Sequence, residues 1–241
     1  KKGGLSKAII FYHGGGWVTG DIDTYTKICA NMARQTKHIV VSVNYRLAPE
    51  HPFPAGLEDC YFVTREIFND PCLINCALED ITLAGDSAGG NLATVVCQVT
   101  RDAGETVPDF QLLFVPATDM SKRTRSYELF REGFFLTKAN MDWYEENYIR
   151  SEDDRLDPRA SPLLTPDLSG LPPAYVATGG FDPLRDEGEA YARKMSDAGV
   201  PVSMRRHPTL VHPFVNAVGA SPVARAALLE AVGALRMGLA Y

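Results

Sequence analysis

No stretch of this 241-residue chain strings together the apolar residues, about 18, that a membrane-spanning helix needs. Positive charge is not in excess either: 24 lysines and arginines stand against 30 aspartates and glutamates, for a net charge of −6 and a pI of about 5.4. That leaves no electrostatic footprint for nucleic acid. Cysteine is scarce and odd in number, five in all (Cys29, Cys60, Cys72, Cys76, Cys97). This usage reads as free thiols of a reducing, cytoplasmic compartment rather than as a disulfide framework. Cys72 and Cys76 stand close together, yet no second Cys/His pair at zinc-ligand spacing accompanies them, and Leu73-Ile74 between them suggests core packing. An initiating methionine is also missing. The chain begins at Lys1, reads as a fragment or trimmed piece, and is silent about a signal peptide.

What is present is ordinary core material, 45% apolar against 22% charged residues, at a length that suits one large α/β domain over residues 1–241. Short β-branched runs alternate with longer amphipathic segments, the pattern of βα units around a parallel sheet. Strands are expected at Ala8–Tyr12, Ile39–Asn44, Ile81–Ala84, Gln111–Val115, Ala174–Thr178 and Val202–Arg206. Runs such as Ile39-Val40-Val41 and Leu112-Leu113-Phe114-Val115 are continuously apolar, as strands covered on both faces are. Helices are expected at Asp23–Gln35, Leu57–Phe68, Ala88–Asp102 and Glu187–Ala198. A last helix starts with Ser221 as N-cap and Pro222 in its first turn, and carries Leu228, Val232, Leu235 and Leu239 as an apolar stripe. One stretch breaks the alternation. Residues 119–159 are rich in charge and aromatics and fall between two expected strands, which reads as a lid inserted over one end of the sheet.

Leu83-Ala84-Gly85-Asp86-Ser87-Ala88-Gly89-Gly90 follows a strand and opens a helix. G-x-S-x-G in that setting is a nucleophile elbow: the turn is too tight for bulk two residues either side of the serine, and Gly85 and Gly89 meet that need. Ser87 would project at a helix N-terminus, where the backbone dipole favours negative charge. Taken alone, the pattern would also suit an ordinary glycine-rich strand-to-helix turn.

The three glycines of Phe11-Tyr12-His13-Gly14-Gly15-Gly16-Trp17 bear on that choice. A serine attacking an ester creates an oxyanion that needs donors aimed at it. Ala88, directly after the nucleophile, would supply one N–H, and Gly14 and Gly15 the others. A phosphate cradle fits less well, since no lysine follows these glycines and Trp17-Val18 breaks a G-x-G-x-x-G pattern.

The serine needs a base and the base an orienting acid, in the chain order Ser, Asp or Glu, His. After Ser87 only His207 and His212 remain. His207 falls at the end of the last expected strand and reads as structural, leaving His212 in the loop beyond. Asp182, just past the preceding strand, is the expected acid, while Asp186 and Glu187 read as first-turn carboxylates that favour their helix dipole. His13 is expected to shape the glycine loop. No metal or cofactor is called for. Trp17, Phe134, Phe135, Val211 and Phe214 are candidates for apolar walls of a substrate pocket, each with core or lid packing as the plainer role.

Five segments carry a resemblance: Tyr12–Trp17 (YHGGGW), Asn44–Glu50 (NYRLAPE), Gly85–Gly90 (GDSAGG), Asp157–Leu163 (DPRASPL) and Asp182–Gly188 (DPLRDEG). In content and order the chain resembles the hormone-sensitive-lipase-like (bacterial family IV) carboxylesterases of the α/β-hydrolase fold. The resemblance implies a mostly parallel sheet flanked by helices, with a Ser87–Asp182–His212 triad and Gly14, Gly15 and Ala88 as oxyanion donors. It implies cleavage of short- to medium-chain carboxylic esters, with small-molecule esters as the only obligatory partners. It makes Arg46 and Glu50 structural, as an ion pair beneath the site, and suggests a homodimer through the last strand and last helix. An amidase or deacetylase would use the same triad. A silent receptor of the same fold, like the plant gibberellin receptor, would be favoured by loss of the histidine, and His212 is present. Two departures stand out. Pro213 follows the histidine where the family has glycine, and the opening strands and first part of the cap that precede the glycine loop in the family are absent from this sequence.

Overall fold

The structure, a computed structural model, describes residues 6–238, with only the backbone of residues 6 and 77–80. Strand β1 (Ser6–Tyr12) leads through the glycine loop into helix α1 (Ile22–Thr36), whose N-cap Asp21 accepts the Thr24 N–H at 2.7 Å. Strand β2 (Ile39–Val43) and helix α2 (Ala55–Asn69) follow, then β3 (Cys76–Asp86) runs into α3 (Ala88–Asp102). Strand β4 (Phe110–Phe114) ends at the inserted segment, which holds three short helices, α4 (Arg125–Phe130), α5 (Lys138–Tyr148) and α6 (Glu152–Leu156). Each begins on a hydroxyl cap, at Thr124, Thr137 and Ser151. The chain returns through β5 (Ala174–Phe181), α7 (Arg185–Asp197), β6 (Val202–Val211) and α8 (Pro222–Gly238).

The sheet has six strands in the order β2-β1-β3-β4-β5-β6, every pairing parallel. Successive side chains of a strand point to opposite faces, and here each face is covered. Ile10, Tyr12, Leu83, Leu113 and Val176 pack with Leu57, Leu92, Val96 and Met195 from α2, α3 and α7. Their strand neighbours Ile9, Phe11, Ala84, Leu112 and Ala177 pack with Ile28, Met32, Leu228 and Leu235 from α1 and α8. Full burial of such a side chain is worth about 1.5–3 kcal/mol, so the strand ends rest on a scaffold held from both sides. Because all strands are parallel, their C-terminal ends lie together, the edge at which open α/β sheets bind ligands.

Several expectations need correction. The last strand continues past Arg206 to Val211, through Pro208, because β6 is the edge of the sheet, where a residue without an N–H costs no ladder bond on its open side. His207 therefore lies inside the strand, opposite Gly179. Strand β3 starts at Cys76, five residues before its expected beginning. Cys76 is buried, but Cys72 and Leu73 are exposed in the short 3-10 turn Pro71–Ile74, so Cys72 packs in no core. Arg46 does not pair with Glu50, which is exposed; its guanidinium and backbone N–H both bind Asp59 of α2, at 2.8–3.0 Å. Leu239, expected on the last helix, lies outside the described residues.

Candidate active site

At the end of β3 the chain turns so sharply that Ser87 takes φ 56° and ψ −119°, a strained left-handed setting for a residue with a Cβ. The turn is possible because Gly85 and Gly89 touch: a Cβ on Gly85 would collide with the backbone of Gly89, and one on Gly89 with the backbone of Tyr12. The result presents Ser87 Oγ beyond the sheet, at the first turn of α3. The N–H of Ala88 opens that helix and so has no acceptor within it.

Asp182 follows β5 directly and His212 follows β6 directly, so two adjacent strands bring a carboxylate and an imidazole to one point. His212 Nδ1 lies 3.0 Å from each carboxylate oxygen of Asp182. A carboxylate only accepts, so Nδ1 carries the proton and Nε2 keeps a lone pair. Ser87 Oγ donates to that nitrogen at 2.9 Å. Asp182 is fully buried and also accepts the Leu184 N–H at 2.8 Å. Burial opposes charge on His212, but the Asp182 carboxylate and its hydrogen bond outweigh it and lift the imidazole above its ordinary value. Pro213 does not displace the ring; it occupies the first turn of a 3-10 segment, His212–Ala217.

The glycine loop leaves β1 beside the elbow, Tyr12 pairing with Gly85. It is held from behind by the residue preceding Ser87: Gly14 N–H donates to Asp86 Oδ1 at 3.0 Å, and Tyr25 O–H to Asp86 Oδ2 at 3.0 Å. Tyr45 O–H donates to His13 carbonyl at 2.7 Å while its ring stacks on the imidazole at 4.3 Å. His13 Nδ1 in turn donates to Gly14 carbonyl at 2.7 Å. Gly14 is therefore not the donor it was expected to be, since its N–H is committed to Asp86. The N–H groups of Gly15 and Gly16 have no protein acceptor among the described residues, and both glycines border Ser87 and His212. Burial pushes the Asp86 carboxyl up to about 6, against the Tyr25, His212 and Gly14 contacts that favour its charge.

Two hollows meet at Ser87. One is an open cleft of about 310 Å³ lined by Gly15, Gly16, Ser87, Phe135, Tyr144 and His212. The other is a small chamber of about 50 Å³ that includes Gly16, Trp17, Met120, Met141, Tyr144 and Glu187, and touches Ser87 but not His212. Of the expected apolar wall residues, Trp17 borders the chamber, its ring stacked at 4.5 Å on Tyr148 of α5, and Phe135 borders the cleft. The other three line neither hollow. Phe214 is buried in the core against Phe114, Phe134 stacks on Phe181 at 5.4 Å, and Val211 ends β6 half-buried. Met120, Met141 and Tyr144 were missed, because apolar residues of a helical insertion carry no mark of which face they present. Asp186 and Glu187 do more than favour a helix dipole: Asp186 accepts the Ser126 N–H of α4 at 2.8 Å, and Glu187 is buried against the loop after β4. No group of three or more His, Cys, Asp or Glu able to hold a metal ion occurs among the described residues.

This arrangement can move a proton from a hydroxyl to an imidazole and hold the resulting positive charge. Comparisons with known proteins identify the family. The family model described as "alpha/beta hydrolase fold" matches residues 9–216. The chain is 45% identical over 245 residues to the carboxylic ester hydrolase LipN of Mycobacterium tuberculosis, covering 98% of this chain and 65% of that protein. It is 38% identical over 235 residues to the carboxylesterase NlhH of the same species, covering 96% and 73%. Among solved structures, an ester hydrolase from the Lake Arreo metagenome, complexed with a bipyridine phosphonate derivative, superposes with a TM-score of 0.96 at 43% identity, over 100% of this chain and 76% of that one. The chain thus spans about two thirds to three quarters of the length of these relatives. With these likenesses over nearly its whole length, the chain belongs to the alpha/beta hydrolase fold family, among its hormone-sensitive-lipase-like carboxylesterases.

Proposed function

We propose that the protein hydrolyses carboxylic esters of short acyl chains through an acyl-enzyme on Ser87. The observation that carries this reading is the unbroken line Ser87–His212–Asp182, with contacts of 2.9 and 3.0 Å. His212 takes the Ser87 proton as Oγ attacks the ester carbonyl, then gives it to the departing alcohol; water repeats the cycle on the acyl-enzyme. Asp182 keeps the imidazole oriented and stabilises its charged form.

The oxyanion donors in this reading are the N–H groups of Gly15, Gly16 and Ala88. Gly14 acts behind them, since the N–H it gives to Asp86 fixes the loop. The leaving alcohol must sit where His212 can protonate it, so it occupies the open cleft that His212 borders. The acyl group takes the chamber that lacks His212. At about 50 Å³ the chamber is much smaller than the cleft of about 310 Å³, which favours acetyl to butyryl over long chains. Residues 119–159 act as the lid, α5 closing the chamber through Met141 and Tyr144. A homodimer and a cytoplasmic setting belong to the same reading: β6 is an open edge strand with Met204 exposed, and all five cysteines are free. Sedimentation at micromolar concentration tests the dimer.

The deciding experiment is hydrolysis of p-nitrophenyl acetate, butyrate, octanoate and palmitate, with mass spectrometry of the protein after exposure to an aryl phosphonate. Activity falling with acyl length and a single adduct on Ser87 are expected. A folded protein that turns over none of these esters and takes no adduct would overturn the proposal, and activity on anilides alone would turn it into an amidase.

A further inference from the structure

Glu187 is a buried carboxylate that the reaction sequence does not use. It lies in the first turn of α7, five residues after Asp182, and is 5% exposed. Its side chain leaves the helix and accepts two backbone N–H groups of the loop after β4, from Thr118 at 2.8 Å and from Asp119 at 3.3 Å, both on Oε1. That loop is one wall of the chamber beside Ser87, through Ala117, Asp119 and Met120. Its other ties come from different directions. Asn91 Nδ2 donates to Ala117 carbonyl at 2.9 Å, Leu163 N–H to Thr118 carbonyl at 2.9 Å, and Met120 N–H to Ser161 Oγ at 2.9 Å. Among the described residues, Glu187 is the side-chain acceptor for the two consecutive N–H groups at the middle of the wall. It borders the chamber itself.

Extending the ester-hydrolase reading above, on which it rests, we infer that Glu187 is a positioning residue: it holds the strip from Ala117 to Met120 as a fixed wall beside Ser87 and so limits the length of the acyl group the site accepts. A wall of backbone can be held at a set distance only if its N–H groups have acceptors, because buried donors without one are costly. Remove the acceptor and the strip must move to find another, and the chamber loses its dimension. The charged neighbours are Asp119 on the loop and Glu145 on α5, the latter held by Arg123 and Arg155. Burial pushes Glu187 up to about 8 against its two backbone donors, with Asp119 and Glu145 adding to the rise. At pH 7 it is largely the neutral acid, for which glutamine is a close mimic.

The test compares wild type with E187Q, E187M and E187D at pH 7, reading kcat and KM for p-nitrophenyl acetate and octanoate and confirming the phosphonate adduct on Ser87 in each. E187Q keeps the acceptor and is expected to keep the wild-type preference for acetate. E187M fills the same space with only a weakly accepting thioether, and the octanoate-to-acetate ratio of kcat/KM should rise about tenfold, the scale on which pockets discriminate one or more methylenes. An unchanged ratio in E187M, or a shift in E187Q as large as in E187M, overturns the inference. If E187M does not fold, E187D, one methylene short of its partners, must shift the ratio in the same direction. A wild type inactive on every ester would instead sink the underlying hydrolase reading, whereas an active wild type with an indifferent E187M sinks this inference alone.

Discussion

The strand-borne side of the site and the inserted segment that faces it are held by different physics. On the strand side every contributor stands within four residues of the end of a parallel strand. Ser87 follows β3, Asp182 follows β5, His212 follows β6 and the glycine loop follows β1. The groups that fix them are themselves buried: Asp86, Asp182 and Tyr45 are each at most 3% exposed. The inserted segment, besides its buried Tyr127, Met141 and Tyr148, is fastened by ion pairs nearer to water. Arg123 forks onto Glu145 at 2.8 Å, Lys138 pairs with Asp142, and Arg131 with Glu128 at 3.1 Å, with the arginines and lysine one third to one half exposed. Exposed pairs are worth about 0–1 kcal/mol each and are screened by salt. Geometry needed to a few tenths of an ångström is thus built on covalent and buried contacts. The inserted segment adds to its buried Tyr127, Met141 and Tyr148 a set of contacts that exchange more readily with water.

That contrast can be broken from its strong side first. Ser87→Ala and His212→Ala should each lower kcat for p-nitrophenyl acetate by at least about 10⁴-fold, with circular dichroism unchanged; a loss of only tenfold would mean that the line of contacts is not the reaction path. Asp182→Asn should cost on the order of 10³–10⁴-fold and move the pH profile as well. Native His212 lies above its ordinary 6.5 and must be neutral to accept the serine proton, so kcat/KM rises with pH through a value above 6.5. Without the Asp182 charge that limb should shift to lower pH, and a limb that stays in place would contradict the assigned orientation. Asp86→Asn leaves the glycine loop with a weaker, uncharged partner and should cost about 10- to 100-fold in kcat, less than the removal of a whole oxyanion donor.

Smaller effects probe how the two buried acids load the fold. Asp86 and Glu187 are raised to about 6 and about 8 from ordinary values of 3.8 and 4.5. A native value above the unfolded one gives stability that is fully present below the unfolded value and is lost as pH rises through the native value. Urea unfolding should therefore show stability declining from about pH 6 to 8 through Glu187 and His212, whose native value is also raised, and E187Q should decline less steeply by the Glu187 share. Equal slopes in the two proteins would contradict the burial of that carboxyl as an acid. The smallest effect sharpens the comparison from its weak side. At 1 M NaCl, where screening acts over about 3 Å, KM should change severalfold as the segment loosens while kcat stays within about twofold. A salt effect confined to kcat would place the soft contacts on the wrong side.

Much of the strand side was legible because its chemistry leaves local marks. The elbow needs small residues flanking Ser87, the helix after it begins at the next residue, and only two histidines follow. What was not legible depends on contacts far along the chain. Nothing near Gly14 reveals that its N–H is taken by Asp86, 72 residues away, although Asp86 sits inside the elbow motif and marks itself as a charged residue with no water to meet. Arg46 finds Asp59 because α2 folds back over it, whereas the nearer Glu50 is turned outward. The last strand was expected to end at Arg206, and only the sheet order makes β6 an edge that carries on through Pro208. Phe214 and Phe135 are alike in sequence terms, yet one is buried and the other 77% exposed. Phe214 packs against Phe114 of β4, whereas Phe135 borders the open cleft.

An all-parallel sheet with its chemistry at one end leaves the other end without duties. The turns around Gly104 and Gly199 enter β4 and β6 from that end into open space, though both glycines hold a positive φ and must themselves stay glycine. Each is a place where a handle could be grafted. Anchored there to a bead or an electrode, the molecule would stand with its mouth facing the solution, every copy oriented alike.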